Sequence, residues 1–182
     1  MPPWLSQVSS AQRKESKYDS SRWLQLATIG IDNTPRVRTV VFRGWNKSNH
    51  MEIYTDKRSQ KYNELDLNNN VEVCWLFLKS KCQFRFRGKA RICLGENNIR
   101  HWDKLSDKSK LMWTWPTPGS HFVFDQERER DNSDLTMEDF SNNFVLINID
   151  ITHVDQLLLR QPIHIRRNWV QRGEWVEERI NP

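Results

Sequence analysis

Residues 82–87 read Cys-Gln-Phe-Arg-Phe-Arg, and this alternation restricts the possible folds more than any other stretch of the chain. A period of two places Phe84 and Phe86 on one face of an extended strand and Gln83, Arg85 and Arg87 on the other. One face must be buried in a sheet, and the other must meet something polar. The strand is read as running from Cys82 to Cys93, after a turn at Lys79-Ser80-Lys81 and a buried strand at Val71–Leu78.

Upstream, Arg22–Ile29, Arg36–Trp45 and Met51–Thr55 read as three strands in meander order, separated by turn residues at Asp32-Asn33-Thr34-Pro35 and Asn46–Asn49. Downstream, Phe144–Ile151, Val154–Leu159, Ile163–Val170 and Glu174–Ile180 read as further strands, with Arg172-Gly173 as a hairpin turn. Helical spacing is confined to short pieces. Trp4, Leu5, Val8 and Ala11 mark an apolar side near the N-terminus, Ser59–Asn68 forms a helix with Leu65 inward, and Ile99, Trp102 and Leu105 mark another. Trp113–Gly119 is an aromatic, proline-rich loop, and the charged span Asp125–Asp134 reads as an exposed excursion. The chain is mainly β with short helices, and seven or more antiparallel strands predict a small barrel filling 1–182 as one domain.

Charge is uneven. Residues 1–91 hold 17 Lys/Arg against 8 Asp/Glu, whereas residues 92–182 hold 11 against 15. A basic half of this kind serves either nucleic acid or one small phosphorylated ligand. No stretch reaches the roughly 18 apolar residues of a membrane span, the N-terminus lacks the apolar core of a secretory signal, and the three cysteines have no metal-ligand spacing. A cytoplasmic protein with reduced cysteines, no metal and no membrane partner is expected. Cys74 and Cys82 flank a turn and could face one another across a hairpin. His101, His121 and His153 are read as surface or packing residues, and no carboxylate pair suggests acid–base work.

On the strand at Arg36–Arg43, Arg36 and Arg38 share a face. Further on, Tyr54-Thr55-Asp56 ends a strand, and Ser59, Gln60 and Lys61 open a helix whose free N–H groups and dipole favour an anion. Hydroxyl, ammonium and guanidinium groups could then converge on one phosphate. The ordered set RTVVFRG at Arg38–Gly44, YTD at Tyr54–Asp56, SQK at Ser59–Lys61, Cys74-Trp75, QFRFRG at Gln83–Gly88 and HIRRNW at His164–Trp169 resembles the FMN site of the pyridoxamine 5′-phosphate oxidase-like flavoproteins. The WPTPG loop at Trp115–Gly119 is similar to that of a subgroup distinct from the vitamin B6 enzyme.

This resemblance implies an FMN-binding split β-barrel, a six-stranded antiparallel Greek-key barrel, dimerised face to face with FMN at the subunit interface. Carried over by position, Arg38, Thr39, Val40, Arg43, Tyr54, Thr55, Ser59 and Lys61 would line the cofactor. Arg38, Ser59 and Lys61 would hold its phosphate, and Thr55 would touch the flavin. Gln83 and Arg166 would face the isoalloxazine ring, and His164 and Arg43 would meet the substrate. Substrate residues match less well than cofactor residues do: Leu105 and Pro162 stand where the B6 oxidase has arginines, and Gln156 stands where, without gaps, it has a tryptophan. The implied activity is FMN-dependent oxidation or reduction of a small molecule, with no catalytic side chain singled out. Genuine pyridoxamine or pyridoxine 5′-phosphate oxidation and a flavin carrier without turnover are the alternatives. A basic nucleic-acid-binding barrel is another, suggested by a pI near 9.2 and by the interleaved Phe84–Arg87.

Overall fold

The alternating segments assemble into one eight-stranded sheet that closes on itself. A computed structural model describes residues 1–122 and 140–182; the charged span 125–134 lies outside the described residues. The strands are β1 (Trp23–Ile29), β2 (Pro35–Trp45), β3 (Met51–Asp56), β4 (Asn70–Phe77), β5 (Cys82–Cys93), β6 (Phe144–Leu158), β7 (Ile165–Arg172) and β8 (Glu174–Ile180). Their order is β3-β2-β1-β4-β5-β6-β7-β8, and an additional β3–β6 ladder joins the ends of the first six into a closed antiparallel barrel. β1, β2 and β3 run as a meander, and β4 returns beside β1, which is the Greek-key order 4-1-2-3.

β6 is the strand that both closes and extends the barrel. Its first part, Phe144–Ile149, pairs with β3, and its last part, His153–Leu158, pairs with β7. The sequence reading of two strands, 144–151 and 154–159, is corrected here to one strand of 15 residues. A register shift opposite Arg87 and Gly88 bends the ladder without breaking it. Gly88 is required at this point, because a Cβ there would come within 2.0 Å of the Asp150 carbonyl oxygen.

Inward-facing residues at every second position form the core, among them Leu24, Leu26, Phe42, Ile53, Val73, Trp75, Phe84, Phe86 and Ile147. Phe84 and Phe86 are wholly buried, so their rings are not available to stack on bases, and the nucleic-acid reading loses its aromatic platform. Two helices stop the ends of the barrel. Helix α1 (Leu5–Glu15) buries Leu5, Val8 and Ala11, and the preceding Trp4 packs on Trp45, Phe86 and Trp175. Helix α2 (Gln60–Leu67) buries Leu65, as its spacing predicts, and with it Glu64.

Outside the barrel, α3 (Glu96–Asp103) is followed by the short α4 (Asp107–Lys110) and a single 3₁₀ turn at Leu111–Thr114. Trp102, Trp113, Phe144 and Leu146 form a second small core there. Ile99 is exposed and Leu105 lies beyond the helix, so the buried side of α3 is carried by Trp102 rather than by the three expected residues together. Cys74 lies opposite Arg85 and Cys82 opposite Phe77, so these two cysteines do not face one another, and all three are free. Among the described residues, no helix is long and apolar enough to cross a membrane and no cluster suits a metal ion.

Candidate functional site

At the end of the barrel stopped by α2, β3 delivers Thr55 and the turn after it delivers Ser59, both buried. The Ser59 hydroxyl donates to the Asp56 carbonyl at 2.6 Å and lies 3.2 Å from Thr55 Oγ1. Lys61, in the first turn of α2, bends its ammonium back onto these hydroxyls, at 3.0 Å from Thr55 Oγ1 and 3.4 Å from Ser59 Oγ. No carboxylate lies within ion-pair distance of it among the described residues. Burial and the neighbouring Arg38 charge hold the Lys61 pKa below the usual lysine range.

Arg38 is inward-facing on β2, in register with Leu26 of β1. Its guanidinium donates to the Thr28 hydroxyl and, at 2.5 Å, to Glu64 Oε2, which also accepts from Thr28 at 2.5 Å. Arg36 shares that strand face but is solvated, paired with Asp32 at 2.7 Å. Thr39 is exposed, and the Val40 side chain is in the core, so only its backbone is available to a ligand. Arg38, Thr55, Ser59 and Lys61 are thus brought together: two cations and two hydroxyls at the start of a helix. Such a donor set fits a phosphate dianion.

Arg43 and Tyr54 form a second group on the outer face of β2 and β3. The Arg43 guanidinium sits 4.8 Å from the centre of the Tyr54 ring, and the Tyr54 hydroxyl bonds His101 Nδ1 at 3.0 Å. His101 Nε2 lies 3.6 Å from Glu52. Burial lowers the Arg43 pKa and raises that of the Tyr54 phenol, which therefore stays protonated at neutral pH.

Gln83 and Arg166 belong to a third group, at the opposite end of β6. Leu157 is in register with Gln83 on one side and Arg166 on the other, so all three share one outward face. Gln156 points the other way, buried, with its amide 3.4 Å from Cys82 Sγ. Leu157, not Gln156, therefore stands on the row that Gln83 and Arg166 share. Arg166 donates to both oxygens of the buried Asp155, with Nε 3.0 Å and Nη2 2.9 Å from Oδ2, and Arg85 reaches the same oxygen at 3.3 Å. Those bonds raise the Arg166 pKa, so its charge is permanent. His164 is exposed in the β6–β7 connection, with Nδ1 3.1 Å from the Arg160 carbonyl.

Sequence reasoning missed Thr28, Glu64, Asp155 and the His101–Glu52 contact. Only Glu64 carries a local signal, standing three residues after Lys61 on the same helix face.

Residues 1–94 match the family model described as "Pyridoxamine 5'-phosphate oxidase, FMN-binding domain". Over its whole length the chain is similar to pyridoxine/pyridoxamine 5′-phosphate oxidase 2 of Arabidopsis thaliana, with 31% identity covering 99% of this chain and 97% of that one. Among solved structures it is similar to a pyridoxamine 5′-phosphate oxidase-related, FMN-binding protein of Nostoc punctiforme, with a TM-score of 0.87, 29% identity and coverage of 100% and 99%. PhzG of Burkholderia lata shares the fold, with a TM-score of 0.77 at 17% identity, covering 98% of this chain and 91% of that one. With the phosphate-type cradle on a six-stranded closed barrel, these similarities establish that the chain belongs to the pyridoxamine 5′-phosphate oxidase-like family of FMN-binding domains.

Proposed function

We propose that this protein is an FMN-dependent oxidoreductase of a small molecule, working as a homodimer in which each flavin site is built by both subunits. The observation that carries this reading is the separation of the two half-sites along β6. Thr55 of the phosphate cradle is in register with Val145, while Gln83 and Arg166 are in register with Leu157, twelve residues further on. At about 3.3 Å per residue this is on the order of 40 Å measured along the strand, so the two groups stand toward opposite ends of β6. This placement supports a site in which a second copy brings its Gln83 and Arg166 to the first copy's cradle.

In this arrangement Arg38, Lys61, Ser59 and Thr55 hold the phosphate, the Val40 backbone and Tyr54 flank the cofactor, and Gln83 and Arg166 of the other subunit meet its ring. When bound, the flavin supplies hydride acceptance and donation. Arg166, locked by Asp155, presents a fixed cation that favours negative charge on the ring edge it faces. Arg43, steadied over Tyr54, and the exposed His164 are the groups offered to substrate, and a cation at Arg43 suits a substrate carrying an acidic group.

Oxidation of pyridoxamine or pyridoxine 5′-phosphate is a second reading, favoured by the name of the Arabidopsis relative. Against it stand Leu105, which packs on the small core around Trp102 and offers no charge, and Pro162, which has no side-chain donor. The experiment is the spectrum and mass of the small molecule released on denaturing the purified protein. Release of FMN, with a flavin spectrum that bleaches on anaerobic reduction, supports the reading. A colourless protein that does not take up FMN, or one releasing haem, contradicts it.

A further inference from the structure

Glu64 is a carboxylate with 4% of its surface exposed, next to a cradle suited to a dianion, where an uncompensated negative charge would be unfavourable on both counts. Its Oε2 takes hydrogen bonds from Arg38 and Thr28, and Arg38 also donates to Thr28, so the three side chains close a ring across β1, β2 and α2. Two of the five guanidinium N–H groups of Arg38 are spent in this ring, and the other three have no protein partner among the described residues. Lys61 stands one turn before Glu64 on α2, yet its ammonium turns to Thr55 and Ser59 instead. The carboxylate is therefore committed to Arg38, and Lys61 is left to the anion.

We infer that Glu64 is a positioning residue for phosphate recognition: braced by Thr28, it holds the Arg38 guanidinium so that its unused edge faces the cradle beside Lys61. This rests on the reading that the cradle holds the FMN phosphate. An arginine on β2 has four rotatable side-chain bonds to be ordered before it makes a directed contact, and a buried acceptor on α2 removes most of that freedom before the ligand arrives. The contribution is confined to ligands that carry the phosphate, because Glu64 touches Arg38 and Thr28 and nothing that faces the ring.

The test compares FMN with riboflavin, which lacks only the phosphate, by titrating the apoprotein and its variants. The wild-type protein binds FMN at least a hundredfold more tightly than riboflavin. Glu64→Ala lowers FMN affinity at least tenfold and leaves riboflavin affinity within twofold. Glu64→Gln, which keeps an acceptor oxygen in place, restores FMN affinity to within about threefold of wild type. If Glu64→Ala does not fold, Thr28→Val, which removes the brace, shows a loss of threefold or more confined to FMN. An FMN preference undiminished in Glu64→Ala or Thr28→Val, or an equal loss for both ligands, overturns the role of Glu64 while leaving the cradle intact. A wild-type protein that does not distinguish FMN from riboflavin overturns the cradle itself.

Discussion

The ammonium of Lys61 lies 3.0 Å from the hydroxyl of Thr55, and no carboxylate among the described residues completes the contact. A half-buried cation facing hydroxyls is matched to an incoming anion. Lys61→Ala and Arg38→Ala are each expected to weaken FMN binding by about 1.5–3 kcal/mol, as for a charge-assisted hydrogen bond, measured by fluorescence titration.

The same burial makes the affinity depend on pH. Lys61 loses its proton below the ordinary lysine value of 10.5, and only the ammonium attracts phosphate. FMN affinity is therefore expected to fall as pH rises through that lowered pKa, and Lys61→Arg is expected to remove this fall. For the unliganded fold the sign is opposite. Between the lowered pKa and 10.5 the unfolded chain binds more protons than the native one, so the Lys61 contribution to stability improves as pH rises.

Asp155 is the shared acceptor of Arg85 and Arg166, and its removal leaves two guanidinium groups facing one another. Both arginines are partly exposed, so solvent screens much of the repulsion. Asp155→Ala is expected to lower stability by about 1–3 kcal/mol in urea unfolding, the range for stranding a hydrogen-bonded charge, and to weaken FMN binding through a mobile Arg166.

Gly88 lies at the register shift of the β5–β6 ladder. A methyl group there meets the Asp150 carbonyl, which is fixed by the sheet and has little room to retreat. Gly88→Ala is expected to cost about 1–3 kcal/mol of stability by urea unfolding, as for overpacking elsewhere, whereas Gly119→Ala, with nothing within 4 Å of the new carbon, does so only through its positive φ of 83°.

Pyridoxamine 5′-phosphate is expected to be oxidised poorly. Its phosphate carries close to two negative charges, and Leu105 offers none to balance them. Of the cations beside that small core, Lys110 lies over the Trp102 ring at 5.5 Å, and Arg58 is already paired with Asp56 at 2.7 Å. Pyridoxal phosphate formation with a micromolar Michaelis constant, in the ordinary enzyme range, would restore the vitamin B6 assignment.

Strand alternation made the barrel legible: β5 and β8 fall on the residues their periodicity marks, Cys82–Cys93 and Glu174–Ile180. β6 was not legible as one strand, because the polar run Asp150, Thr152, His153 looks like a break when it is the exposed side of a bulge. Of the residues that meet at the α2 end of the barrel, Thr55, Ser59 and Lys61 lie within seven positions, so their proximity is local in the sequence. The partners of Arg38 are not local in this way, because Glu64 is 26 positions away and meets it only after β1 and β2 pair and α2 folds over the barrel end.

The composite site is tested most directly by mixing subunits. Lys61→Ala damages the cradle and Arg166→Ala the ring-facing row, so each variant homodimer is expected to bind FMN weakly at both sites. Unfolded together and refolded, the two chains form heterodimers in which one site carries both substitutions and the other carries neither. Purified heterodimer, selected by two different affinity tags, is predicted to bind one FMN per dimer with wild-type affinity. A heterodimer whose sites are both as weak as those of the parent variants, or an Arg166→Ala monomer with FMN fully bound, would contradict a site shared between subunits.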